Sequence, residues 1–264
     1  MSHLLIRHTI WLNGQECYMV SYPLGQRTPC WQGDQLIDHE GAMLLTQLQD
    51  LVNSAPRGKF GQDNLTFVLG APMVRHTLLP WQDSLHSQDD WNSYAAALFA
   101  QQYGSDISNW RIQSSEAGYG QPRLAVAIDE VLYQTALDVA RNGGLRLQGV
   151  EPLLAHTVNH YFRQIRDRDF ALLILGKFYA HVAFCRDDQW QSVSCQPFIH
   201  PQHHDPAALQ ALLRDTAILS GQTVPDTVYL SSTETDAAMV DQHSDQMIWL
   251  GHPLPAFARQ QVTR

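Results

Sequence analysis

Several signatures are missing from this chain of 264 residues, and each absence removes a class of function. Only four cysteines occur, Cys17, Cys30, Cys185 and Cys195, with no CxxC pair. In a reducing compartment they are expected to be buried small hydrophobes, with Cys185 and Cys195 able to face each other across a hairpin. No run of eighteen or more apolar residues is present, so no membrane-spanning helix is predicted. Residues 1–7 lack the charged region, apolar core and small-residue cleavage site of a secretory signal, which points to the cytoplasm. There is no basic block, and 17 basic against 26 acidic residues give a formal charge of −9. A phosphate backbone is therefore a poor ligand, since such binding needs clustered Lys and Arg. Also missing are a GxGxxG in strand-to-helix context, a GxxxxGK[ST] loop and a GxSxG elbow. The 13 histidines and many carboxylates make chance pairings easy, and no catalytic acid or base stands out.

What is present is an ordinary globular composition, 44% hydrophobic and 16% charged, at a length where single cores begin to divide into lobes. The clearest pattern lies between 73 and 150. A strand at 73–79 stops at Pro80, which cannot donate to a ladder. Ser87 and Asp90 have the spacing of a capping box, and Trp91, Tyr94, Ala95, Leu98, Phe99 and Gln102 then make one stripe at the 3.6-residue period, ended by Gly104. Strands at 109–113 and 123–128 flank a connection containing Gly118 and Gly120. Asp129 caps a second helix with Leu132, Ala136, Val139 and Ala140 on one face, stopped by Gly143 and Gly144, and 145–150 closes the unit as a strand. The order is βαββαβ.

On either side the order repeats. Strands at 4–11 and 16–22 surround Asn13-Gly14, whose residues tolerate the positive φ of a type I′ hairpin turn. A third strand near 28–32, a helix carrying Leu44, Leu45, Leu48, Leu51 and Val52, and a strand at 65–69 complete βββαβ. Pro152 suits the first turn of a connecting helix whose face is Leu154, Val158, Tyr161, Phe162 and Ile165. The apolar run 170–175 reads as a central strand, and Phe178, Ala180, Val182 and Phe184 alternate in the next. Asp187-Asp188 turns into a strand at 190–195, and Asp205 caps a helix carrying Leu209, Leu212, Leu213 and Thr216. Strands at 227–230 and 247–250 follow, with a short helix expected at 236–242. The fold class expected is α/β with mixed sheets: two βββαβ lobes, the first made of 1–72 and 151–168, the second of 169–264, with a βαββαβ subdomain at 73–150 inserted in the first.

Leu79-Pro80-Trp81, Asp90-Trp91 with its aromatic helix, Arg123-Leu124-Ala125-Val126-Ala127-Ile128-Asp129, and Gly144-Leu145-Arg146-Leu147 leading to Glu151-Pro152 carry a family resemblance. Together with the interrupted pair of lobes, they make the chain resemble the bacterial branch of the actin-like (RNase H-like) superfamily. Within it, the chain resembles PilM-type pilus assembly proteins and the cytoplasmic part of GspL-type secretion proteins, from about residue 65 to 198. The resemblance implies a cytoplasmic scaffold of a type IV pilus or type II secretion-like assembly. Such a scaffold docks the short cytoplasmic tail of a PilN-like inner-membrane partner and reaches the inner membrane only through it. The alternative from another class is an ATP-dependent enzyme of the same superfamily, a small-molecule kinase or ATPase.

Members that hydrolyse ATP hold phosphates with Asp-x-Gly turns after the first strand of each lobe, the Gly for close approach and the Asp for Mg²⁺. Here those turns read Leu12-Asn13-Gly14-Gln15 and Leu175-Gly176-Lys177-Phe178, and neither has the acid. The adenosine-contacting turn, glycine-rich in the family, reads Ser231-Ser232-Thr233-Glu234-Thr235. No nucleotide cofactor and no hydrolysis are expected, with Asn13, Gly14, Gly176 and Lys177 as degenerate remnants or simple hairpin residues. The sequence His200-Pro201-Gln202-His203-His204-Asp205 is rich in metal-ligand types, but its Pro and Asp also serve as turn and cap, and no metal is assigned. Trp91, Tyr94 and Phe99 fall on a core stripe. Trp81, beside a proline in a loop, is the partner-binding candidate, since aromatic residues concentrate at interface hot spots.

Overall fold

A computed structural model describes residues 4–14, 16–37, 42–104, 106–198, 205–233 and 247–254. Two five-stranded sheets repeat one topology. In the first, β1 (Ile6–Asn13) and β2 (Glu16–Pro23) form an antiparallel hairpin and β3 (Trp31–Leu36) extends it. The chain then crosses through α1 (Ala42–Ser54) to β4 (Asn64–Leu69), which lies parallel to β1. The insert follows as β5 (Val74–Leu79), α2 (Gln88–Tyr103), β6 (Trp110–Ser114), β7 (Arg123–Asp129) and α3 (Glu130–Asn142), and leads to β8 (Arg146–Pro152). After α4 (Leu153–Tyr161) the second sheet runs β9 (Phe170–Leu175), β10 (Tyr179–Arg186), β11 (Gln189–Pro197), α5 (Pro206–Leu219), β12 (Val228–Ser232) and β13 (Met247–Gly251). The strand orders are β3-β2-β1-β4-β8 and β11-β10-β9-β12-β13.

The third sheet is β5-β7-β6, with three strands where four are expected from the pattern. The strand expected to close the insert, β8, pairs instead with β4, from Asn64 opposite Arg146 to Leu69 opposite Pro152. The reason is local. β4 alternates into a buried end and has a free edge on the side away from β1, and α3 packs against both α1 and β8, returning the chain parallel to β4. Gly143 at the end of α3 lies so close to Val52 of α1 that a Cβ there would collide with its Cγ1.

The chain divides into two compact units, residues 1–74, 109–111 and 128–153 in one and residues 75–108, 112–127 and 154–264 in the other. In the first, the core is built by Ile6, Ile10, Leu12, Met19, Leu48, Val52, Leu65 and Phe67. In the second, every residue of β9 is buried, as a strand covered on both faces requires. One of those faces, Ala171, Leu173 and Leu175 with Val182, Phe184 and Leu230, packs on Leu209, Leu213 and Ala217 of α5.

The punctuation is as the sequence patterns imply at most ends. Ser87 and Asp90 form a reciprocal capping box on α2, Asp129 caps α3 through the Val131 N–H, and Asp205 caps α5 through the Ala207 N–H. Four details differ. Asn13 belongs to β1 rather than to the turn, because it already pairs with Glu16; Gly14 has φ +60, and Asn13 is not left-handed. The turn with two left-handed residues is Asp187-Asp188, at φ 51 and 62. Pro152 ends β8 rather than opening α4, a position an edge strand tolerates because a missing N–H there breaks no inner ladder. Phe162 falls just beyond α4 and is 61% exposed, off the face expected to carry it. The short helix expected at 236–242 lies outside the described residues.

Candidate functional site

The two phosphate-turn positions are ordinary hairpin ends. Gly14 donates its N–H to the Ala71 carbonyl at 3.1 Å, and Gly70 packs so tightly on Asn13 that a Cβ there would meet the Asn13 amide oxygen. Gly176 donates to Tyr179 O at 2.8 Å, closing the β9–β10 turn, while the Lys177 ammonium lies 5.2 Å from the Phe178 ring centroid. Each glycine N–H that a phosphate oxygen would need is thus spent on the chain's own carbonyl, and neither turn supplies a carboxylate.

The third turn is lined by hydroxyls that are also committed. Ser231 Oγ donates to Gly251 O at 2.8 Å, Thr233 N–H donates to Leu175 O at 3.0 Å, and His252 Nδ1 lies 2.8 Å from Ser232 O. Tyr161 donates its hydroxyl to His252 O at 2.7 Å and crowds Gly251, which has φ +132 and no room for a side chain. Glu234 and Thr235 lie outside the described residues, as do residues 200–204 of the histidine-rich stretch; Asp205 serves as the cap of α5. Among the described residues no group of three or more His, Cys, Asp or Glu is arranged to hold a metal ion.

A Ser–His–Asp line does occur, and its setting shows what it is. His8 on β1 has Nδ1 2.8 Å from Ser21 Oγ on the neighbouring strand and Nε2 4.0 Å from Asp63 Oδ2. All three are fully buried, and Asp63 also accepts the N–H groups of Ile6 and Gly58, both at 2.7 Å. Burial, and then the Arg57 charge, hold His8 neutral with a pKa lowered to about 4. No substrate carbonyl can reach a serine enclosed in this way; His8 and Ser21 tie β1 to β2, and Asp63, through the Ile6 and Gly58 N–H groups, ties β1 to the loop before β4.

The cysteines are free thiols, and Cys185 pairs across the hairpin with Trp190 while Cys195 pairs with His181, so the two are not opposite one another. Cys17 and Cys185 are buried, as expected; Cys30 is exposed, its thiol donating to Ser21 O at 3.4 Å.

Trp81 lies in an aromatic corner of the insert. Its indole N–H donates to Asp83 Oδ1 at 2.8 Å, and its ring sits 5.6 Å from Trp91 and 4.9 Å from Tyr119. Trp91 and Phe99 are core residues of α2, and Tyr94 is half-buried, its hydroxyl accepting from the Gln82 amide. Below Trp81, the Arg123 guanidinium lies 4.4 Å from the Trp91 ring centroid. A polar bracket fixes α2 to β6: Gln88 donates to Ser114 O and Oγ, both at 2.8 Å, and Asn92 accepts from Ser114 N–H at 3.0 Å. Tyr119 is invisible to periodicity because it sits in the Gly118–Gly120 connection, although an aromatic between glycines is itself a signal of an exposed ring.

No family model matches the chain, and no curated protein is similar to it in sequence. Solved structures are similar in fold. The cytoplasmic domain of EpsL, an inner membrane component of the type II secretion system of Vibrio cholerae, superposes with TM-score 0.61 at 11% identity over 98% of this chain and 95% of its own. A PilM-PilN type IV pilus biogenesis complex gives 0.62 at 12% identity over 96% and 90%. A Bacteroides thetaiotaomicron protein with an actin-like ATPase fold gives 0.58 at 10% identity over 92% and 90%. With its twin sheets of one topology, the chain has the actin-like fold and is similar in fold to the EpsL and PilM structures.

Proposed function

We propose that this protein is an actin-like scaffold of a type IV pilus or type II secretion-like assembly, one that docks the cytoplasmic tail of an inner-membrane partner and does not hydrolyse ATP. The observation that carries the reading is the state of the two phosphate turns within an otherwise complete fold. Both glycine N–H groups are bonded to the chain's own carbonyls, and neither turn has an acid to organise Mg²⁺. The likeness to PilM in its complex with PilN, over nearly the whole chain, supports a membrane partner of the PilN kind. No helix among the described residues is long and apolar enough to cross a membrane, which is consistent with attachment through such a partner.

The test is a pull-down with the short N-terminal tail of a single-span membrane protein encoded beside this gene, run with calorimetry of millimolar ATP and Mg²⁺. Capture of the tail with no saturable heat from nucleotide is the expected result. Saturable nucleotide binding with turnover above background overturns the non-catalytic half and favours a kinase or ATPase. Loss of tail capture overturns the adaptor half.

A further inference from the structure

The corner around Trp81 is more specific than an apolar patch. Tyr119 is 87% exposed and meets Trp81 edge to face at 63°, and Trp81 is itself only half-buried. The indole N–H holds the Asp83 carboxyl beside the rings. Exposed acids continue along the start of α2 at Asp89 and Asp90 and at Glu116 before the glycine-rich connection, in a chain of formal charge −9. Electron-rich ring faces beside a carboxyl attract organic cations. The chain already contains one such match within the same group, Arg123 over Trp91.

The charge complementarity identifies the occupant. Segments on the cytoplasmic side of a membrane span carry an excess of Lys and Arg. Of the two, the planar guanidinium both stacks on aromatic faces and forks onto a carboxylate. We propose that Trp81, Tyr119 and Asp83 form a docking surface for an arginine side chain in the membrane partner's cytoplasmic tail. This rests on the adaptor reading above.

The probe is the peptide acetyl-Gly-Arg-Gly-Arg-Gly-amide, with a counterpart carrying neutral citrulline at both arginines. Each is titrated into the full chain labelled with ¹⁵N at its 7 tryptophans, the Trp81 indole signal being assigned by Trp81→Phe. The Trp81 signal should shift saturably with the arginine peptide. Binding should weaken about two- to five-fold with Tyr119→Ala, the size of an exposed cation–π contact, and at least as much with citrulline. Because Tyr119 is exposed, the remaining indole signals should stay in place, which confirms an intact fold. An equal response to the citrulline peptide, or no change with Tyr119→Ala and Asp83→Asn, overturns the proposal. The two readings separate cleanly. If the arginine peptide moves Trp81 but the membrane protein's tail does not bind, the adaptor reading falls and the arginine site stands. If the tail binds Tyr119→Ala as tightly as the native chain, the site falls and the adaptor reading stands.

Discussion

The two five-stranded sheets share strand order and direction, yet their centres are chemically unlike. In the first sheet, the central strand β1 buries His8 and satisfies its Nδ1 with Ser21 Oγ, while its Nε2 stays 4.0 Å from Asp63 without a hydrogen bond among the described residues. In the second, the central strand β9 is wholly apolar. The nearest buried imidazole there, His181 on β10, has no hydrogen-bond partner among the described residues and meets only the edge of His76, at 5.8 Å. The same topology therefore does not need the same core. A hairpin, a third antiparallel strand and a helical crossover back to the first strand set the order, since such connections are short and right-handed. Side chains then fill the space with whatever can be satisfied there. A buried polar group is stabilising only where its partners are supplied.

Asp63→Ala should separate the two sheets most. It strips acceptors from the Ile6 and Gly58 N–H groups and removes the neighbour of His8 in one step, all of them buried. Unpaired buried donors cost about 1–3 kcal/mol each, so a loss of roughly 3–5 kcal/mol is expected in urea unfolding. Hydrogen exchange should rise first in β1, β2 and β4. Exchange in β9 and β10 rising equally early would show that the difference between the sheets has no energetic consequence.

Acid sharpens the same contrast. Burial lowers His8 and His181 to about 4, and His76, with His181 as a second cause, to about 3. A histidine depressed in this way is neutral when folded, whereas the unfolded chain binds a proton below about 6.5. The stability from each is fully present above that value and drains as pH falls toward 4. The slope is about 1.36 kcal/mol per pH unit per group, on the order of 3 kcal/mol for His8 or His181 at the bottom and more for His76. His181→Phe keeps an aromatic ring in the apolar site and should flatten the profile between pH 6.5 and 4 by about one proton. An unchanged slope would mean that the His76–His181 pair opens to water before it titrates.

Legibility in the sequence followed the range of the forces. Elements set by local chemistry were visible: the Ser87–Asp90 box, the Asp129 and Asp205 caps, the buried run of β9 and the stripe bearing Trp91, Ala95 and Phe99. Features that local pattern does not mark depend on partners far along the chain. The strand at 146–152 has no mark that assigns it to the insert or to β4, because pairing is decided by which sheet has a free edge. The same holds for the site. Trp81 could be singled out from its loop and proline, but its neighbours Tyr119 and Arg123 come from a connection and a strand some forty residues on. The buried cluster of Ser21, His8 and Asp63 draws on three segments with no shared motif.

The smallest effect is expected between one hairpin of each sheet, β1–β2 in the first and β10–β11 in the second. The first turns on Gly14 at φ +60, with open space around the position where a Cβ would sit, so strain in Gly14→Ala comes from backbone conformation alone. That should cost about 1 kcal/mol, the penalty of left-handed backbone for an ordinary residue. The second turns on Asp187 and Asp188, both left-handed and both held by Arg168, at 3.5 and 2.8 Å. Aspartate and asparagine are the residues that best tolerate this conformation after glycine. Asp187→Asn keeps the tolerance and gives up only an exposed ion pair of small worth. Its unfolding midpoint should move by less than half the shift of Gly14→Ala. A larger shift would show that Arg168, rather than backbone tolerance, shapes the second hairpin, and that the two turns reach similar paths by different means.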